Sequence, residues 1–95
     1  MFVVFLRFSA GKSEAPRLMA DHNAWIARGF EDGVFMVVGA LQPGAGGAIL
    51  AHDTTRTELE ARLQEDPFVA EDVVQPEIQE ITPARAEQRL GFLVA

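Results

Sequence analysis

Phe2-Val3-Val4-Phe5-Leu6-Arg7-Phe8 opens the chain with a run of β-branched and aromatic residues broken only by Arg7. Such residues suit a pleated, half-buried surface, so the run predicts a strand. Its apolar side chains fall on both faces: Phe2, Val4, Leu6 and Phe8 alternate with Val3 and Phe5. Val34-Phe35-Met36-Val37-Val38-Gly39-Ala40-Leu41 repeats the pattern, with Val34, Met36 and Val38 alternating with Phe35 and Val37. Helices packed on one side of a sheet cover only one of these faces. The other is then an interaction surface.

The segments between and after these strands supply the helices and the remaining strands. Ser9-Ala10-Gly11-Lys12 reads as a loop, and Ser13 as a helix cap with Pro16 in the first turns. A helix is expected from Glu14 to Arg28. Leu18, His22, Trp25 and Gly29 fall at i, i+4, i+7 and i+11, flanked by Met19 and Ile26, which makes one apolar stripe. Gly29 or Gly33 would end it. Gln42-Pro43-Gly44-Ala45-Gly46-Gly47 is turn-rich and joins the second strand to a third, Ala48 to His52, as a hairpin. Thr55 and Glu58 have the capping-box spacing. The second helix carries Leu59 and Leu63, and Asp66-Pro67 has the form of a cap followed by the first residue of another turn. Gln75 to Thr82 reads as an edge strand, consistent with Pro76 near its start. Pro83 to Ala95 is a C-terminal tail, with a short helix before Gly91 and then apolar Phe92-Leu93-Val94.

The order is strand, helix, strand, strand, helix, strand. It predicts an α+β fold of ferredoxin-like βαββαβ type, an antiparallel four-stranded sheet with two helices on one face. The uncovered apolar face predicts a homodimer through the sheet, since isologous dimers are the commonest oligomers.

With 95 residues, 48% of them hydrophobic and 23% charged, the chain fits one domain spanning 1–95. The formal net charge is −6 and Lys12 is the single lysine, which argues against nucleic acid and anionic membranes as partners. The apolar start is too short to span a bilayer and lacks the form of a secretory signal. The absence of cysteine excludes a thiolate nucleophile, an iron–sulfur cluster or a cysteine-based zinc site. A cytoplasmic location is the default expectation.

Few groups remain that move a proton near neutral pH. The chain has two histidines, and an unperturbed histidine titrates near ~6.5. His22 lies in the helical stripe. It is either a satisfied core residue or an acid–base group that Asp66 orients through Nδ1. Asp66 is equally well explained as a helix cap, and the two roles are compatible. His52, at the end of the third strand, lacks the further ligands that a metal site needs. The glycines at 44, 46 and 47 lack the Lys-Ser/Thr of a phosphate loop. Arg7 faces a salt bridge, a dimer seam or an anionic ligand. Trp25 belongs to the core or to a pocket wall.

Several of these features together resemble the YciI-like family (YCII-related domain). They are the apolar first strand, His22 midway along the first helix, Gly39 ending the second strand and Gly46-Gly47 opening the third. Glu65-Asp66-Pro67-Phe68 after the second helix and Ile78-x-x-Ile81-x-Pro83 complete the pattern. The resemblance implies a dimeric α+β barrel. It also implies an active site centred on a histidine and an aspartate, matched by His22 and Asp66. The implied chemistry is a cofactor-independent, lyase-like or isomerase-like proton transfer on a small organic molecule. Two positions depart from the pattern. Gly47 stands where many relatives have a serine, and Ala40 where many have a proline. The missing hydroxyl keeps a second expectation open, a non-catalytic ligand-binding or interaction module of the same fold.

Overall fold

The strand at the chain start becomes the centre of the sheet. In the computed structural model, which describes residues 1–94, β1 (Phe2–Phe8) pairs antiparallel with β3 (Gly46–Ala51) on one side and β4 (Val74–Glu80) on the other. β2 (Phe35–Leu41) pairs antiparallel with β3 as the expected hairpin, giving the order β2-β3-β1-β4. The helices are α1 (Ala15–Glu31), α2 (Arg56–Gln64) and α3 (Pro67–Ala70). One 3-10 turn covers Lys12–Glu14 and another Gln88–Leu93. The expected four-stranded antiparallel α+β sheet is therefore present. The expected barrel is not: β2 and β4 lie at opposite ends of the order and do not pair, so the sheet is open. Four strands of six or seven residues are too few to curl round and meet.

One face of the sheet and the helices form the core. Phe2, Val4 and Leu6 are buried together with Leu18 and Trp25 of α1, Leu59 and Leu63 of α2, and Phe68 of α3. Burying each such side chain contributes roughly 1.5–3 kcal/mol. α1 and α2 are also tied by polar bonds. Trp25 Nε1 donates to the Arg62 carbonyl at 2.9 Å, and the Arg62 guanidinium meets Asp32 at 2.9 Å.

The second strand departs from the regular alternation expected of it. The register shifts between Phe35, opposite Ala51, and Val37, opposite Leu50, so Met36 is an extra residue. The bulge resets the pleat and puts Phe35 and Val38 on the core side. The opposite face then carries the cross-strand row Val37, Leu50, Val3. Val37 is 54% exposed, and Val3 and Leu50 are half-buried.

Several local expectations are also corrected. Ser13 does not cap α1, because the chain first winds a 3-10 turn through it and Glu14 takes the cap position without a side-chain bond. Thr55 accepts from the Glu58 N–H at 3.1 Å, but the Glu58 carboxylate leans toward Thr54 and not back to the Thr55 N–H, which leaves half a capping box. β3 starts at Gly46 and β4 at Val74, each earlier than expected. At the edge, Arg56 reaches across to the Ile78 carbonyl at 3.4 Å. In the tail, the 3-10 turn runs through Gly91 instead of stopping before it, and Phe92 packs edge-on to His52. Ala95 of the tail lies outside the described residues. Among the described residues, no helix is long and apolar enough to cross a membrane.

Gly29 does not end α1. It lies inside the helix, where a Cβ would fall on the Phe35 ring, and Gly33, with φ of +74°, follows the helix end. Phe35 cannot yield easily, since Trp25 and Phe30 both pack edge-on against it at 5.2 and 6.2 Å. Helix propensity favours Ala over Gly by about 1 kcal/mol, but overpacking a core costs about 1–3. Gly29→Ala is therefore expected to destabilise the protein, by up to about 2 kcal/mol net, as a lower urea midpoint. A raised midpoint would show that α1 and β2 are not in close contact here.

A candidate active site at the start of the third helix

Asp66 sits where a helix must begin. Its backbone is extended, Pro67 follows at the first helical position, and its Oδ1 accepts the Phe68 N–H at 3.0 Å. This is the cap expected from Asp-Pro, and it satisfies one of the orphan donors of the first turn. The same Oδ1 also takes His22 Nδ1 at 2.8 Å. The two candidate residues, 44 positions apart in the chain, are thus in direct contact.

Burial sharpens this pair. The Asp66 side chain is 0% exposed and that of His22 is 12% exposed. Asp66 Oδ2 is buried without a hydrogen-bond partner among the described residues. An orphaned buried acceptor costs about 1–3 kcal/mol. A serine would cap the helix without a second carboxylate oxygen to strand. Capping alone therefore does not account for the aspartate, and the bond to His22 is a second use of the same Oδ1.

The ring is held on three sides. Phe68 stacks on it at 3.8 Å between centroids and 3° between planes. Trp25, one turn further along α1, stands at 6.0 Å and 24°. The bond to Asp66 fixes rotation about the remaining axis. A carboxylate in its ionised form only accepts; in that form the bond would be donated by Nδ1, leaving Nε2 as the acceptor of a neutral ring. Nε2 makes no hydrogen bond among the described residues and is not sealed from solvent.

His22 lines a cavity of about 160 Å³ at one end of the sheet. Its walls are mainly apolar, from Leu6, Phe8, Met19, Phe68 and Val74. Asn23 and the backbone of Gly46 and Gly47 complete it. Two larger grooves lie elsewhere, about 510 Å³ between α2 and β4 and about 410 Å³ beside Arg28 and Arg62. Both are open and charged, and neither includes a histidine.

The glycines that read as a hairpin connection therefore also form the cavity floor. At Gly46, with φ of +128°, a Cβ would strike the Leu6 carbonyl. At Gly47 an added Cβ meets only the Gly39 carbonyl, at 3.4 Å, an ordinary contact that admits a small side chain. Gly47 and Ala40, the two departures from the YciI-like pattern, are cross-strand partners. Phe8, Met19 and Asn23 are cavity residues beyond those that the sequence pattern marks. Met19, three residues before His22, was recoverable from helical spacing. Phe8 and Asn23 left no signal.

The remaining candidates lie apart from this site. His52 is at the other end of β3 from Gly46 and Gly47, and its Nδ1 lies 3.7 Å from Asp53. No group of three or more metal-ligating side chains occurs among the described residues. Arg7 faces Glu77 at 3.8 Å, with both side chains about half exposed, and its guanidinium lies 4.9 Å from the Phe5 ring centroid. An exposed pair of this kind contributes about 0–1 kcal/mol.

The shared oxygen orders the effects of substitution at Asp66. Asp66→Ala removes the cap and the imidazole's partner together, a loss of about 2–4 kcal/mol. Asp66→Asn keeps an oxygen for the Phe68 N–H and should lose about half as much. A double-mutant cycle with His22→Ala should give a coupling of about 1–3 kcal/mol in urea denaturation. Coupling near zero would mean that the two side chains do not bond in solution.

No family model matches the chain, and no curated protein matches it. Among solved structures the chain is similar to 5-chloro-2-hydroxyhydroquinone dehydrochlorinase (TftG) from Burkholderia phenoliruptrix AC1100, in complex with 2,5-dihydroxybenzoquinone. The TM-score is 0.68 at 13% identity, over 85% of this chain and 93% of that one. A likeness at that identity shows a shared fold.

Proposed function

We propose that this chain is a small YciI-like enzyme of one domain, 1–95, in which His22 moves a proton and Asp66 orients it. The observation that carries this reading is the His22–Asp66 hydrogen bond at the rim of a solvent-reachable cavity. Nε2 takes a proton from a carbon or oxygen of a small organic molecule. Asp66 stabilises the imidazolium that results, at the oxygen already bonded to Nδ1. In an elimination, the electron pair of the broken bond forms a double bond as a leaving group departs with its own pair. In an isomerisation, the same proton returns to a different atom. The fold shared with a dehydrochlorinase makes elimination the first class to assay. No step needs a group beyond the chain's own side chains, and the lack of cysteine suits a cytoplasmic setting.

A second reading is a ligand-binding module without turnover. It is favoured by the apolar cavity wall and by Gly47, which offers no hydroxyl. His22→Ala and His22→Gln separate the two. We expect both variants to fold and to lose turnover by about 10²–10⁴, the usual contribution of a positioned acid–base group. An activity that survived either substitution would remove His22 from the mechanism.

We also propose that two copies pair through the open sheet face around Val37, Leu50 and Val3. Its apolar row has no cover from the helices, which lie on the other side. Sedimentation at micromolar concentration should give a dimer, and Val37→Glu a monomer of unchanged circular dichroism. A wild-type monomer would exclude the pairing.

A further inference from the structure

More than half of the cationic side chains in this chain are paired. Arg7, Arg17, Arg56, Arg62 and Arg89 each lie within 4.0 Å of a carboxylate. Among the described residues, Lys12, Arg28 and Arg85 do not. Arg28 lines a groove that also holds Asp32, Glu58 and Glu65, which supply negative charge around it. Arg85 lines none of the concavities described above. Lys12 is different. Its Nζ lies 4.6 Å from the centroid of the Phe8 ring, and that ring is a wall of the His22 cavity. The single lysine of a chain with net charge −6 thus has no carboxylate partner among the described residues, and its ammonium lies against a wall of the His22 cavity.

Resting on the reading of that cavity as a ligand site, we infer that it takes a small, flat organic anion, whose carboxylate Lys12 holds at the mouth. The general negative charge of the protein repels anions, so a local cation is needed to admit one. The Phe8 and Phe68 rings and the volume of about 160 Å³ suit a flat body of one small ring. The 3-10 turn that carries Lys12 is exposed, which leaves the ammonium free to swing from Phe8 to a ligand.

Benzoate and its neutral isostere benzamide are suitable probes, followed by amide chemical shifts in the full chain. Benzoate should shift the Gly46, Gly47 and Phe68 amides and bind in preference to benzamide. Lys12→Met should weaken benzoate about threefold to tenfold and leave benzamide unchanged, whereas Lys12→Arg should restore the preference. Equal binding of the two probes to wild type, or an unchanged preference in Lys12→Met, would overturn the role of Lys12. Either result would still leave the cavity as a ligand site. No shift of the cavity amides by either probe would overturn the inference together with its premise. His22→Ala turnover, tested separately, decides the catalytic reading alone.

Discussion

One carboxylate oxygen joins the fold to the site. Asp66 Oδ1 accepts the Phe68 N–H that starts α3 and the Nδ1 of His22 on α1. Helix capping and imidazole orientation are usually separate tasks with separate residues. Sharing them ties the position of the histidine to the geometry of a turn, and the turn to the packing of α1. Phe68 closes the loop, since the residue whose N–H is capped also stacks its ring on the imidazole. Removing any one of the three loosens the other two, which is the non-additivity expected of groups in one network.

The sheet brings these parts together from distant stretches of chain. β1 at the centre supplies Leu6 and Phe8 to the cavity, β3 its glycine floor, and β4 Val74 at its first position. All lie at the same end of the sheet, because antiparallel pairing sets the end of β1 against the starts of β3 and β4. The apolar wall excludes water from one side of the imidazole. A low-polarity surround strengthens the hydrogen bond between His22 and Asp66.

Periodicity made much of this legible and contact geometry did not. The helical spacing of Leu18, His22 and Trp25 placed His22 toward the sheet, and Asp-Pro marked the start of α3, because both signals are local. That His22 and Asp66 touch was not readable, since nothing local links positions 44 residues apart. The bulge at Met36 was hidden by a run in which every residue is apolar, so the slip of register changed no visible pattern. Gly29 read as a helix stop because a glycine inside a helix and one after it look alike in sequence. Only the Phe35 ring lying against it tells them apart. Closure of a barrel was implied by resemblance and not by any residue, and the open strand order corrects it.

The edge strand β4 has a further consequence. Pro76 offers no N–H, and the Ile78 carbonyl is engaged by Arg56 from α2. A foreign strand arriving at this edge would find a missing donor and an occupied acceptor within three residues. At the other edge, β2 is bent by its bulge near Phe35. Both margins of the sheet are thus poor templates for added strands, which guards the chain against edge-to-edge aggregation. The sheet is built so that it does not lengthen sideways into a fibre, even though its apolar content would otherwise invite it.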